Sequence, residues 1–215
     1  MCDILCITNR SLCKGDFLVQ LERICAANPK AIVLREKDLS PVAYEELAEA
    51  VLPLCQSYHV PCMLHSYADV AAKLGVTALH MPLPALRAMT ASEKAQFSVL
   101  GASCHSVEDG LEAQALGCTY ITAGHIYETD CKKGLPGRGL DFLQALCNAV
   151  SIPVYAIGGI TPDRMADVRN AGAAGACVMS GLMQCDDPAS YLSQFQQAGE
   201  QHEILLENAS SLRYH

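Results

Sequence analysis

The sequence predicts an α/β fold of the (β/α)8 TIM-barrel class, and three observations predict it. Eight short apolar runs rich in β-formers recur along 215 residues, segments with helical apolar spacing lie between them, and the runs are apolar at nearly every position. Continuous apolarity means burial on both faces, which parallel sheets impose, and parallel neighbours need a crossover element between them. Eight strand-helix units close naturally into a barrel. An open doubly wound sheet uses the same alternation, so alternation alone leaves closure undecided.

In chain order, CDILCITN is the first strand, and apolar spacing from Asp16 to Ala27 makes the first helix. AIVLRE follows, and Ser40 before Pro41 opens a helix that runs to Ser57, because a serine side chain caps the free N–H groups of a first turn and proline there forfeits no bond. PCMLHS leads into a helix from Tyr67 to Leu74 that Gly75 stops. TALHMP is the fourth strand, and Pro82 and Pro84 in HMPLPALRAMT compress its helix into a brief one. SVLGASCH is followed by a helix from Ser106 to Leu116, with Gly117 after it. TYITAGHI precedes a polar loop and a helix from Leu140 to Ala149. PVYAIGGI is answered by Thr161 and Pro162 at the start of a helix reaching Ala171, with Gly172 beyond, and GACVMSGL is the last strand. No Pro/Gly/Ser-rich linker divides the chain, so one domain is expected over 1–215, with a core of about 2–199 and a C-terminal tail, 200–215, that carries a last helix and a loose end.

Composition narrows the function classes. A hydrophobic share of 51% against 18% charged residues describes a packed globular core rather than a disordered chain. The net charge of −8 argues against a nucleic-acid-binding face, so attraction for any anionic ligand must come from local cations and backbone amides. No apolar run approaches the roughly 20 residues that span a bilayer. The twelve cysteines lie mostly inside apolar runs (Cys6, Cys62, Cys118, Cys177), and MCDILCITNRSLCKG has no secretory pattern. A cytoplasmic protein with reduced thiols is expected. No C-x-x-C spacing marks a metal site, so neither metal nor cofactor is expected, and a homo-oligomer stays open.

Barrel active sites gather at the carboxyl ends of the strands. Those ends offer Arg35 and Lys37, His65 and Ser66, His80, Ser103 and His105, and His125. Arg35 and Lys37 are two apart, so both can reach one anion, or both are solvated beside Glu36 and Asp38. His80, in an apolar run, reads as a structural residue with a backbone partner. His125 follows a glycine at a strand end and precedes a loop with Glu128, Asp130, Cys131, Lys132 and Lys133, a placement that suits proton transfer beside an anion. Gly158 and Gly159, then Ser180 and Gly181, let backbone amides approach a phosphate, although Gly-Gly is also an ordinary tight turn.

These residues carry a resemblance. LREKD, HSYADVAAKLG, GASCHSVEDGLEAQALG, AIGGITPDRMADVRNAGAAG and VMSG resemble the thiamine phosphate synthase family along nearly the whole chain, and GHIYETDCKKGLPGRG resembles its TenI branch, the thiazole tautomerases. Synthases of this pattern carry an Asn-Asp pair after strand three and an Asp after strand four, which hold magnesium on a pyrimidine pyrophosphate. Here those positions are His65, Ser66 and Ala85, and Thr129, Asp130, Cys131 and Lys132 replace a Thr-Pro-Thr-Lys-like segment. The resemblance implies a tautomerase that aromatises a carboxylated thiazole phosphate without metal. His125 would be the proton carrier. Arg35, Lys37 and Lys132 would hold carboxylate or phosphate, Gly159, Met179 and Ser180 the phosphate, and Ser103, Thr129 and Cys131 would add substrate contacts. A magnesium-dependent synthase and a non-catalytic ligand-binding paralogue are the alternatives.

Overall fold

The computed structural model describes residues 3–198, apart from the Cys131 side chain. Eight parallel strands close in chain order into a barrel, β1 (Asp3–Ile7), β2 (Ala31–Leu34), β3 (Cys62–His65), β4 (Ala78–Pro82), β5 (Val99–Cys104), β6 (Tyr120–Gly124), β7 (Val154–Ile157) and β8 (Gly175–Val178), with β8 pairing back onto β1 through Asp3 and Gly175. Closure excludes the open doubly wound sheet. The expected tail from 200 onward lies outside the described residues.

The helices are α1 (Phe17–Ala26), α2 (Pro41–Ser57), α3 (Ala68–Lys73), α4 (Leu83–Ala88), α5 (Ala91–Lys94), α6 (Val107–Ala115), α7 (Gly139–Ala149), α8 (Met165–Asn170) and α9 (Ser180–Gln184). Of the helix starts marked in the sequence, Ser40 and Ser106 cap as expected, accepting from Ala43 and Asp109 N–H, whereas Thr161 makes no side-chain cap bond; Asp16 also caps, accepting from Val19 N–H. Two expectations shift. The fourth unit carries two short helices, because Thr90 and Glu93 build a capping box that starts α5. The segment from Pro162 begins as a single 3-10 turn, Pro162–Arg164, before α8.

Strand side chains alternate between two cores. Leu5, Ile7, Ala31, Val33, Met63, Tyr120, Tyr155 and Cys177 fill the barrel, while Ile4, Cys6, Ile32, Leu34, Leu64, Leu79 and Ile121 pack outward against the helices. Each fully buried Leu or Ile of the outer layer stabilises the fold by about 1.5–3 kcal/mol. Inside, the Tyr120 ring occupies the space a side chain at Gly101 would need. The same alternation carries Arg35, His65, His80 and Ser103 upward on the inward face, toward the carboxyl ends.

Candidate active site at the mouth of the barrel

His65 and His80 stack with centroids 5.6 Å apart. His80 Nδ1 lies 2.8 Å from the Tyr120 hydroxyl and Nε2 lies 2.9 Å from Ser103 Oγ. A neutral imidazole has one N–H, so one of these two hydroxyls donates to the ring and the other accepts from it; Tyr120 also contacts Met63 Sδ at 3.3 Å. Burial, then the neighbouring Arg35 charge, pushes His80 down to about 4. Burial, then His80, Arg35 and Lys37, pushes His65 down to about 3. Both rings are therefore neutral near pH 7. His80 is structural as expected, with side chains rather than a backbone group as partners. His65 does not face open solvent. It is buried, and its Nδ1 is 2.7 Å from Ser66 Oγ, on a residue held in the left-handed region at φ 70. Ser103, expected to touch substrate, is oriented by His80.

His125 follows directly on β6. Its Nε2 is 3.2 Å from the Leu135 carbonyl. A carbonyl only accepts, so this contact assigns a proton to Nε2 and leaves Nδ1 to exchange one. The chain beyond it is held by Ile126 N–H on Ile157 O (2.9 Å) and Tyr127 N–H on Gly158 O (3.0 Å). Gly158 has φ +97, and a Cβ there would come within 2.8 Å of His125 Cα. Its absent side chain therefore makes room for the Cα and Cβ of His125, a packing requirement that reading the glycine pair as anion-binding backbone missed. Gly159 similarly abuts the Glu128 carbonyl, 2.6 Å from where its Cβ would lie.

A cavity of about 750 Å³ is bounded by Glu128, Thr129, Asp130, Lys132, Lys133, Leu135 and Pro136 of the loop, Gly159, Thr161 and Arg164 after β7, Ser180 and Gln184 of α9, and Leu12; His125 is not one of its lining residues and adjoins it through Leu135, whose carbonyl it contacts. That volume lies within the roughly 300–1,000 Å³ typical of small-molecule sites. Of the residues anticipated from sequence it gathers Thr129, Lys132, Gly159 and Ser180. Arg35 Nη1 touches Met179 Sδ at 4.0 Å, next to Ser180. Lys37 has its pKa lowered by burial, by Arg35 and by Lys132, so three cations converge on this side of the mouth. Glu36 and Asp38, considered as partners of Arg35 and Lys37, instead bind Arg10, at 3.1 Å and 2.6 Å. Cys131 shares the loop, and its side chain lies outside the described residues.

Sequence reasoning missed Arg164, whose guanidinium lies 4.4 Å over the Tyr127 ring and donates to Gly159 O at 2.6 Å. The bond to Gly159 lies within the segment after β7, but no local signal marks the stacking on Tyr127, which sits on a separate loop. Arg138 was also overlooked, although the PGRG run displays it as a cation within the loop.

A model of the thiamine monophosphate synthase family matches residues 4–182. The chain belongs to this family. Among its relatives are thiamine-phosphate synthase 2 of Streptococcus pneumoniae, 32% identical over 176 residues covering 80% of this chain and 82% of the relative, and thiamine-phosphate synthase of Salinispora arenicola, 36% identical over 159 residues covering 71% and 74%. A solved thiamine phosphate pyrophosphorylase from Pyrococcus furiosus superposes with a TM-score of 0.78 at 25% identity, over 93% of this chain and 96% of that one.

For a thiamine monophosphate synthase homologue the magnesium positions implied by the sequence resemblance can be tested on their donors. The end of β3 supplies His65 and Ser66, already bonded to each other, and α4 supplies the methyl group of Ala85. The carboxylates just past β2 are engaged: Glu36 accepts from Thr8 Oγ1 at 2.7 Å and from Arg10, and Asp38 binds both Arg10 terminal nitrogens. Magnesium takes hard oxygen ligands in a near-ideal octahedron. These residues do not fit it. Among the described residues no group of three or more His, Cys, Asp or Glu has metal-binding geometry.

The buried thiols of Cys104, Cys118 and Cys147 are not competing nucleophiles. Burial pushes Cys104 up to about 12 and Cys118 and Cys147 up to about 11, so they remain protonated at neutral pH. Ten described cysteines are free. Among the described residues, no helix is long and apolar enough to cross a membrane.

Proposed function

We propose that this member of the thiamine monophosphate synthase family is a thiazole tautomerase, converting the non-aromatic carboxylated thiazole phosphate of thiamine biosynthesis into its aromatic tautomer. One observation carries the reading: β6 ends in an imidazole that contacts Leu135 at the edge of a cavity holding Lys132, Lys133 and Arg164, while the end of β3 and α4 offer His65, Ser66 and Ala85 in place of carboxylates. The isomerisation moves a proton from ring carbon two to the exocyclic carbon, with no net gain or loss of atoms. Aromaticity makes it downhill, so a positioned proton carrier suffices. His125 Nδ1 takes the ring proton and returns it to the exocyclic carbon, while Nε2–H stays on the Leu135 carbonyl. Lys132, Gly159 and Ser180 hold the phosphate, and Arg35 and Lys37 meet the carboxylate.

The names of the relatives favour a second reading, magnesium-dependent joining of a pyrimidine pyrophosphate to the thiazole phosphate. Two incubations of the purified protein, each with and without magnesium, separate the two: one with the non-aromatic thiazole phosphate, following the ultraviolet change of aromatisation, and one with the pyrimidine pyrophosphate and the thiazole phosphate together, following pyrophosphate release. A metal-independent acceleration is expected. Magnesium-dependent pyrophosphate release with no effect on aromatisation replaces the tautomerase reading with the synthase one.

A further inference from the structure

Two side chains from different elements donate to a single carbonyl, that of Gly124, the residue preceding His125. His105 Nδ1 reaches it at 2.8 Å and Arg138 Nε at 3.1 Å. A carbonyl oxygen has two lone pairs, and these donors occupy both. The ladder between β5 and β6 stops at Cys104 and Ala123, so one residue further on the His105 side chain serves the carbonyl that a longer strand would meet with backbone N–H. The His105 N–H is itself committed elsewhere, to Asp109 Oδ2 at 2.8 Å. Arg138 reaches back from the start of α7, with its guanidinium 5.6 Å over the Phe142 ring and its main-chain N–H on His125 O at 2.9 Å. Arg138 thus grips the carbonyls on both sides of His125.

We propose that His105 and Arg138 are positioning residues for His125: together they fix the Gly124 peptide, and with it the direction in which the imidazole leaves the backbone. Neither touches the reacting atoms. The proposal rests on the reading of His125 as proton carrier, and it explains why a histidine stands at the end of β5 with its Nδ1 on the Gly124 carbonyl. Because a carbonyl only accepts, His105 needs N–H at Nδ1, and any side chain with a donor at that point can replace it.

That requirement sets the test. An asparagine amide places its nitrogen near the Nδ1 position, whereas a glutamine amide lies too far out, so His105→Asn keeps the bond and His105→Gln and His105→Ala lose it. At the other site, Arg138→Gln keeps a donor near the Nε position and Arg138→Met does not. With the non-aromatic thiazole phosphate as substrate, His105→Ala, His105→Gln and Arg138→Met are expected to lower kcat roughly tenfold with KM changed less than about twofold, and the Asn and Gln replacements to stay within about twofold of the parent. The His125 ring resonances of the free protein, followed by NMR, are expected to move or broaden in the same three variants and in neither conservative one. If the parent protein shows no aromatisation, the proton-carrier reading fails, and the resonances alone then judge the positioning. Unmoved resonances in His105→Ala and Arg138→Met, or conservative variants that fall as far as the others, overturn the proposal.

Discussion

Lowering the pH toward 5 is expected to destabilise the barrel from its interior, through His65 and His80. Their folded pKa values of about 3 and about 4 lie below the roughly 6.5 of an unfolded histidine. Above about pH 6.5 both rings are neutral in both states, and the shifts cost nothing. Below it the unfolded chain takes up two protons that the native barrel refuses, so stability falls with pH until the folded pKa values are reached. At about pH 5 each histidine withdraws roughly 1.4 kcal/mol times 1.5 pH units, about 2 kcal/mol, and the two together about 4 kcal/mol. Urea unfolding followed by circular dichroism at about pH 7.5 and about pH 5 reads the difference directly. His80→Gln is expected to be less stable at both pH values but to lose only about half as much between them, about 2 kcal/mol. The exposed carboxylates Asp38, Glu93 and Glu112 have pKa values held below their ordinary 3.8 and 4.5 by Arg10, Thr90 and Arg87, so their contribution is lost below this window. A parent protein whose stability changes by less than about 1 kcal/mol, or a variant with the parent's full pH dependence, refutes the reasoning.

Other consequences can be checked with single substitutions. His125→Gln is expected to lower the aromatisation rate by about 10²- to 10⁴-fold while ligand affinity, measured by calorimetry, stays within a few-fold. Gly158→Ala must fit a Cβ 2.8 Å from His125 Cα at φ +97, so a loss of about 2–4 kcal/mol in urea unfolding should accompany a collapse of kcat. Arg10→Met removes a cationic side-chain partner of a Glu36 carboxylate that is almost wholly buried, and a drop of about 3 kcal/mol is expected, largely restored by a second change of Glu36→Gln. Inorganic phosphate should raise the thermal midpoint of the parent protein, and Lys132→Ala should shrink that rise, since binding to the native state alone stabilises it.

Read in isolation, the residues determined the eight strands, most helix boundaries and the strand-end positions of Arg35, His80, Ser103 and His125, because each depends on a local period or cap that the chain states within a dozen residues. The loop from Glu128 to Lys133 was recognisable as chemical for the same reason: its charges are contiguous. The count of eight units pointed to the closed barrel that is found, but the closing pair itself was not legible, since joining β8 to β1 sets Gly175 against Asp3, and no local pattern distinguishes that from an open edge. Nor was the burial of His65, which only the assembled barrel wall produces. Gly158 looked like an anion-binding glycine until the neighbouring loop placed His125 against it. The sequence by itself determined which chemical groups stand at the strand ends; tertiary structure decided which of them meet, because the hydrogen bonds on the Gly124 and Leu135 carbonyls join residues that only the closed barrel and its folded loop bring within reach.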